Sequence, residues 1–315
     1  HNSSGKLNGV KESIFMENIK DYSGRWRWNM VNDFRPQSIE YSGIKCYPTA
    51  NYVNYYGMQN GYPINDMTKA DAESGYDPTH PWKNRDPRFY KTIMFDGVKW
   101  KSTGGAGGTA ELFTGGRESE EANEKKGCFT AYMNSKLCPQ LMNTVDGYKE
   151  NNIMILSLMR LADVYLMYAE ATAVGYNGPK GKAATYSLTA EEALNKIRER
   201  AGVAPVLDKF LGSTADFLSE LRRERAVELS FEGFRFIDLR RWMLLTQYPY
   251  TLKTKIEFDR ADPSDYNYDE PEENAIKNLR EVVLLERKYT DRHYWYPLPK
   301  KDVSMYEGFY QNPGW

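Results

Sequence analysis

The sequence predicts a mainly α protein whose helices pair as αα-hairpins, beside a loop-rich irregular region carrying short β-hairpins. Three observations carry that expectation. From Ile153 to Ala173 runs a long helical segment that is apolar nearly all round, as buried helices are. Paired helix signals follow it: Thr189 and Gly202 bracket a second helix, Ser213 with Asp216 opens a third, and Gly233 divides that third helix from a fourth ending near Leu245. Ahead of Gly147, by contrast, Gly, Asn, Asp, Pro and Tyr separate apolar runs too short for stable helices. Residues 1–147 therefore read as a loop-rich ligand-binding region with short strands, and 148–315 as a helical scaffold, the two forming one unit.

In the first region Lys91–Trp100 is expected to form a hairpin, because Asp96-Gly97 lies between β-prone arms. The Gly pairs and charge run between Lys101 and Gly127 read as an exposed excursion. In the scaffold, the run from Ile153 is expected to be buried on most sides, and its first residues admit a strand. Ala169 and Ala193 fall where tetratricopeptide repeats place small residues so that paired helices approach closely, although the loop between them is longer than that repeat allows. The hairpins are in this sense tetratricopeptide-like. Two such pairs cannot bury their apolar faces alone, so something else must cover them.

The 315 residues suffice for a sizeable core. With 42 Lys and Arg against 43 Asp and Glu, there is no basic footprint for nucleic acid. Aromatics reach 14%, including 24 Tyr and 7 Trp, more than a core needs and suited to stacking on flat ligand faces. Cys46, Cys128 and Cys138 make at most one disulfide and show no zinc or redox spacing. No stretch of about 18 uninterrupted apolar residues occurs, and the polar start His1–Gly5 is not a signal peptide.

Several constellations invite a chemical reading. The run Arg222–Trp242 places ten charges in 21 positions. Within it Glu224 and Glu228 stand one helical turn apart, near the short end of the carboxylate spacing a glycoside hydrolase uses. Arg222, Arg223, Arg225, Arg235, Arg240 and Arg241 crowd them, which favours two ionised, paired glutamates over a protonated general acid. Arg160, Asp163 and Glu170 share one stripe of the apolar helix and are expected to be buried partners of the arginine-rich helices. His1, His80 and His293 are isolated, and Gly104–Gly108 lacks the features of a phosphate loop. No catalytic residue is assigned. Asp265, Asn267 and Asp269 offer alternating oxygen ligands for a structural calcium ion, without the mid-loop Gly and distant Glu of a calcium loop.

The cluster most suggestive of binding is Gly24–Asn29, containing Trp26, Trp28 and Asn29, followed by Tyr41, Tyr47, Tyr52, Tyr55, Tyr56 and Asn60 in loop-like sequence. A pyranose C–H face stacks on indole or phenol while neighbouring amides and guanidinium groups satisfy its hydroxyls. Trp26, Trp28, Asn29, Tyr41 and Tyr55 are the expected ligand contacts. If Trp26 and Trp28 alternate on a strand, one of them is core.

The order Glu-Arg-x-x-Glu-Leu-x-Phe-Glu-Gly-x-Arg-x-x-Asp-Leu-Arg-Arg-Trp, ending at Trp242, resembles the late helix-turn-helix signature of the SusD/RagB family, nutrient-binding lipoproteins of Bacteroidetes outer membranes. Arg160–Ala171 and Glu192–Gly202 resemble its helix pair. Asp77–Phe89, Tyr296-Pro-Leu-Pro and Gln311–Trp315 add matches in family order across residues 40–315. The resemblance implies a SusD-like fold of tetratricopeptide-type helices with loops carrying the ligand site. It implies capture without catalysis or a required cofactor, in partnership with a SusC-like TonB-dependent transporter. The cargo would be oligosaccharides or, in the RagB branch, peptides. It also implies an outer-surface lipoprotein in the full-length form. The family's lipidated cysteine and early helices are not found here, so a missing or separate N-terminal segment is expected to cover the exposed helix faces.

Overall fold

The computed structural model describes residues 11–16, 47–64, 70–102, 108–122, 124–138, 146 and 157–315. Its first elements are small: β1 (Ser13–Met16), α1 (Ala50–Val53), α2 (Pro87–Thr92), β2 (Ile93–Met94) and β3 (Met133–Asn134). None is long enough to be stable alone. From α1 to β3 they are held by an aromatic core in which Phe95 lies 5.0 Å from Trp82 and 5.2 Å from Phe89, all three buried. α2 starts at Pro87 behind Asp86, whose carboxylate accepts the Arg88 N–H at 2.9 Å.

The expected Lys91–Trp100 hairpin does not form. Lys91 and Thr92 belong to α2, β2 pairs antiparallel with β3, and the segment around Trp100 bonds instead to residues 108–110. The Asp96-Gly97 turn is present, with Gly97 at φ 81° and the Val98 N–H on the Phe95 carbonyl at 3.2 Å. Its arms diverge because the buried Asp96 carboxylate is an anchor of its own. It accepts from Arg260 at 2.7 Å and from the Leu112 N–H at 2.8 Å, and those tertiary bonds outweigh a local strand pairing.

β4 (Ser157–Arg160) pairs antiparallel with β1 and leads directly into α3 (Leu161–Gly175). α3 has no capping side chain of its own. Glu12 supplies one from β1's flank: its carboxylate accepts the Ala162 N–H at 3.3 Å and its carbonyl the Leu161 N–H at 2.7 Å. α4 (Ala190–Ala201) is framed as its signals predict, by a Thr189–Glu192 capping box and by Gly202 at φ 74°. α5 (Thr214–Glu228) begins at Ser213, whose hydroxyl accepts the Asp216 N–H at 3.1 Å. It stops short of Gly233 because cations take its last carbonyl: Arg160 at 2.6 Å and Lys136 at 3.3 Å bond to Glu228 O. α6 (Phe234–Arg241) ends before Leu245, where Met243 turns to φ 56°.

α3 packs against both α4 and α5. Ala169, Ala173, Ala190 and Ala193 are fully buried in one cluster with Leu194, Phe217 and Leu221, so the small residues occupy the helix seam. All-round burial of α3 is not observed. Its partners cover the side carrying Ala162, Leu166, Ala169 and Ala173, while Val164, Met167 and Val174 remain exposed, Val174 by 65%. Ile237 on α6 and Met243 beyond it are also exposed.

β5 (Leu252–Arg260) and β6 (Ile276–Glu286) form an antiparallel ribbon. Thr254, Ile256, Phe258 and Arg260 alternate inward, and Phe258 meets Trp82 at 5.2 Å. Residues from both halves of the chain thus share one core. α7 (Lys300–Met305) precedes the C-terminus. The architecture is mainly helical with two-stranded antiparallel sheets, and among the described residues no helix is long and apolar enough to cross a membrane.

Candidate functional site

The paired glutamates of α5 are locked by ion pairs. Glu224 accepts from Arg88 and, at 3.1 Å, from Arg198, while Glu228 accepts from Arg88 at 2.9 Å, Arg160 at 2.6 Å and Arg200. Burial alone would raise both carboxyl pKa values, but Arg88 and Arg198 hold Glu224 below 4.5, and Arg160, Arg88 and Arg200 hold Glu228 well below it. Neither can serve as a general acid, so the glycoside hydrolase alternative fails at its first chemical requirement. Asp163 and Glu170 pair with arginines as expected, with Arg225 at 2.8 Å and Arg241 at 2.6 Å. Arg160, a cation itself, pairs with Glu228, Glu232 and Glu12.

The calcium reading is also corrected. The Asn267 carboxamide oxygen accepts the backbone N–H of Asp269 at 3.0 Å and of Glu270 at 3.1 Å, a local turn that consumes the central ligand of the Asp265, Asn267, Asp269 set. Among the described residues no group of three or more His, Cys, Asp or Glu side chains is placed to hold a metal ion. Cys128 is a buried free thiol, and burial pushes its pKa up to about 11.

Of the expected ligand contacts, Trp26, Trp28, Asn29 and Tyr41 lie outside the described residues. Tyr47 and Tyr56 are core residues, with hydroxyls bonded to the Lys126 carbonyl at 3.0 Å and the Ser230 hydroxyl at 2.8 Å. Tyr52 donates to the Ala226 carbonyl at 2.6 Å. Asn60 donates to the Ser74 carbonyl at 3.0 Å. Tyr55, half-buried just after α1, opens onto a different setting. The Arg235 guanidinium of α6 donates to its hydroxyl at 2.9 Å and lies 4.8 Å over its ring and 5.5 Å over that of Tyr250.

Two further cations join Arg235. In the β5–β6 ladder Lys253 stands opposite Leu285, which puts Arg287, two residues on, diagonally across the same face. The Arg287 N–H bonds to the Thr251 carbonyl at 3.0 Å, and its guanidinium donates to the Tyr289 hydroxyl at 3.1 Å. Burial, then Arg287, then Arg235, push the Lys253 pKa down to about 8. Among the described residues none of the three makes an ion pair. Sequence reasoning missed Lys253, Arg287 and Tyr250. The available signal was basic residues within three positions of Tyr250 and Tyr289 on two segments that only the ribbon brings together. A separate open cleft of about 550 Å³ along α4, with Leu188, Val203 and Pro205 in its wall, contains no aromatic side chain.

A SusD-like protein from Bacteroides fragilis matches this fold with a TM-score of 0.68 at 22% identity, over 98% of this chain and 55% of its own. A SusD-like carbohydrate binding protein from the same species matches with a TM-score of 0.55 at 20% identity, over 81% and 46%. The chain thus spans about half the length of the solved structures it resembles. No protein of curated function matches it. The sequence pattern of the SusD family matches residues 11–315, and the chain belongs to the SusD family.

Proposed function

We propose that this protein captures oligosaccharides at the outer surface of the cell, without catalysis, and passes them to a SusC-like TonB-dependent transporter. The observation that carries the reading is the family match across residues 11–315. Two features support it. The α5 glutamates are fixed as carboxylates by arginines, and a tyrosine-framed polar surface around Tyr55 supplies the mixture of flat apolar faces and donors that sugars require. One solved relative of the same fold is described as carbohydrate binding.

In this reading Trp26, Trp28, Asn29 and Tyr41 stack and hydrogen-bond the sugar together with Tyr55. The full-length protein is an outer-surface lipoprotein, residues 1–147 carry the ligand loops and 148–315 the scaffold. The exposed Val164, Met167, Val174 and Ile237 receive the part of the family fold that this chain does not span. Glycan and peptide arrays probed with the wild type and with Trp26→Ala, alongside a reducing-sugar assay, test the central claim. Glycan binding that is lost in Trp26→Ala, with no sugar released, is the expected result. Binding confined to peptides, or release of product, would overturn it.

A further inference from the structure

Several buried cations of this chain are neutralised by carboxylates, while the fully buried Arg85 bonds instead to backbone carbonyls. Arg225 bonds to Asp163 and Asp238 at 2.8 and 3.0 Å, and Arg260 to Asp96 at 2.7 Å. Lys136 bonds to Glu232 at 2.6 Å. The half-buried Arg235 and Lys253 and the exposed Arg287 have no carboxylate partner among the described residues. Their fixed partners are neutral phenols and aromatic faces: Tyr55 and Tyr250 for Arg235, Tyr289 for Arg287. A guanidinium carries five N–H donors, and the side chain of Arg235 commits one of them, to Tyr55.

We infer that Arg235, Lys253 and Arg287 form an anion subsite that takes the carboxylate or sulfate of an acidic oligosaccharide, an inference that rests on the capture reading above. The geometry supplies what such a group needs. Arg235 is oriented by a hydrogen bond and two ring contacts before any ligand arrives, so its remaining donors face an anion with little ordering left to lose. Arg287 is pinned by its backbone bond to Thr251 and by Tyr289. Lys253 sits on β5, diagonal to Arg287, as a compact point charge. Arg287 and Arg235 repel the half-buried Lys253 in the free protein, and a bound anion relieves that repulsion. Burial, with repulsion from Arg287 and Arg235 added to it, depresses the Lys253 pKa. Tyr55, Tyr250 and Tyr289 flank the cations, and exposed Leu285 stands opposite Lys253. Flat rings beside charge suit a sugar acid, whose C–H face stacks while its anionic group pairs.

The test is calorimetric titration of the whole chain with oligogalacturonide, its neutral methyl ester, a sulfated galactan oligosaccharide and a polyglutamate peptide, all of similar length. The acid or sulfated sugar is expected to bind about tenfold or more tightly than the methyl ester, a difference of about 1.4 kcal/mol. Lys253→Met and Arg287→Gln should each erase most of that preference while leaving methyl ester binding in place. Whichever of carboxylate and sulfate binds better identifies the natural anion, and either supports the subsite. Equal binding of acid and ester, or a preference that survives both substitutions, overturns the subsite while leaving glycan capture intact. Preference for polyglutamate over both acidic sugars assigns the cations to a peptide and overturns the glycan assignment. Absence of binding to every sugar, neutral or charged, overturns the capture reading together with the subsite.

Discussion

Two charged clusters of this molecule share residue types and differ in closure. Around Glu224 and Glu228, Arg88, Arg160, Arg198 and Arg200 meet carboxylates on nearly every side, and Glu12 and Glu232 complete the set. Around Tyr55, Arg235, Lys253 and Arg287 meet tyrosines and no carboxylate among the described residues. The first cluster joins β1, α2, β4, α4 and α5, so its charges are part of the scaffold. The second joins α6 to one end of the ribbon and leaves its charge unanswered. The difference teaches that density of charge says little about role. What matters is whether the fold supplies the counter-charge or leaves it to a ligand.

Breaking the closed cluster should have the largest effect. Glu228→Gln leaves Arg160, Arg88 and Arg200 around a neutral amide in a buried site, and about 3 kcal/mol of stability should be lost, read as a lower denaturant midpoint with glycan affinity unchanged. Acid should act on the same cluster. Glu220, Glu224 and Glu228 are held below their unfolded value of 4.5, so the stability they contribute is complete above pH 4.5 and disappears progressively as pH falls below it. Thermal melts from pH 7 to pH 3 should show that decline, and a flat profile would contradict the assignment.

The open cluster should respond in the opposite sense. Lys253→Met removes a partly buried cation whose pKa is depressed from 10.5 to about 8, so stability should stay level or rise. Affinity for an acidic oligosaccharide should fall about tenfold. In the wild type that affinity should be full well below pH 8 and weaken as pH rises through it. Lys253, which faces Arg287 and Arg235, is the group whose lost charge weakens the subsite there. Smaller effects probe the scaffold and the turn. Thr189→Ala should cost about 1 kcal/mol through the lost α4 cap. Chelation with EDTA should leave the melting temperature unchanged, since Asn267 closes its turn without a metal.

Much of the scaffold was legible because its signals are local. The Thr189, Gly202 and Ser213 boundaries each depend on one side chain or one backbone conformation within four residues, and all three form as expected. Burial was less legible. The Ile153–Ala173 composition indicates an apolar helix, yet which side is covered depends on where α4 and α5 pack, and Val164, Met167 and Val174 fall outside that contact. The Lys91–Trp100 expectation failed for the same reason: a sound turn signal met the Arg260–Asp96 pair, formed across the fold from β5.

By itself, then, the sequence determined family membership and the Thr189, Gly202 and Ser213 helix boundaries. Each follows from short-range order, whereas the arginines that pair with the α5 glutamates, Arg88, Arg160, Arg198 and Arg200, come from outside the Arg222–Trp242 run. Only the tertiary structure decided which cations remain without counter-charge. Arg235, Lys253 and Arg287 lie on three segments, and it is the ribbon register and the seating of α6 on Tyr55 that bring them together. Electrostatic partnership is a property of distance in space, and no local pattern along the chain encodes it.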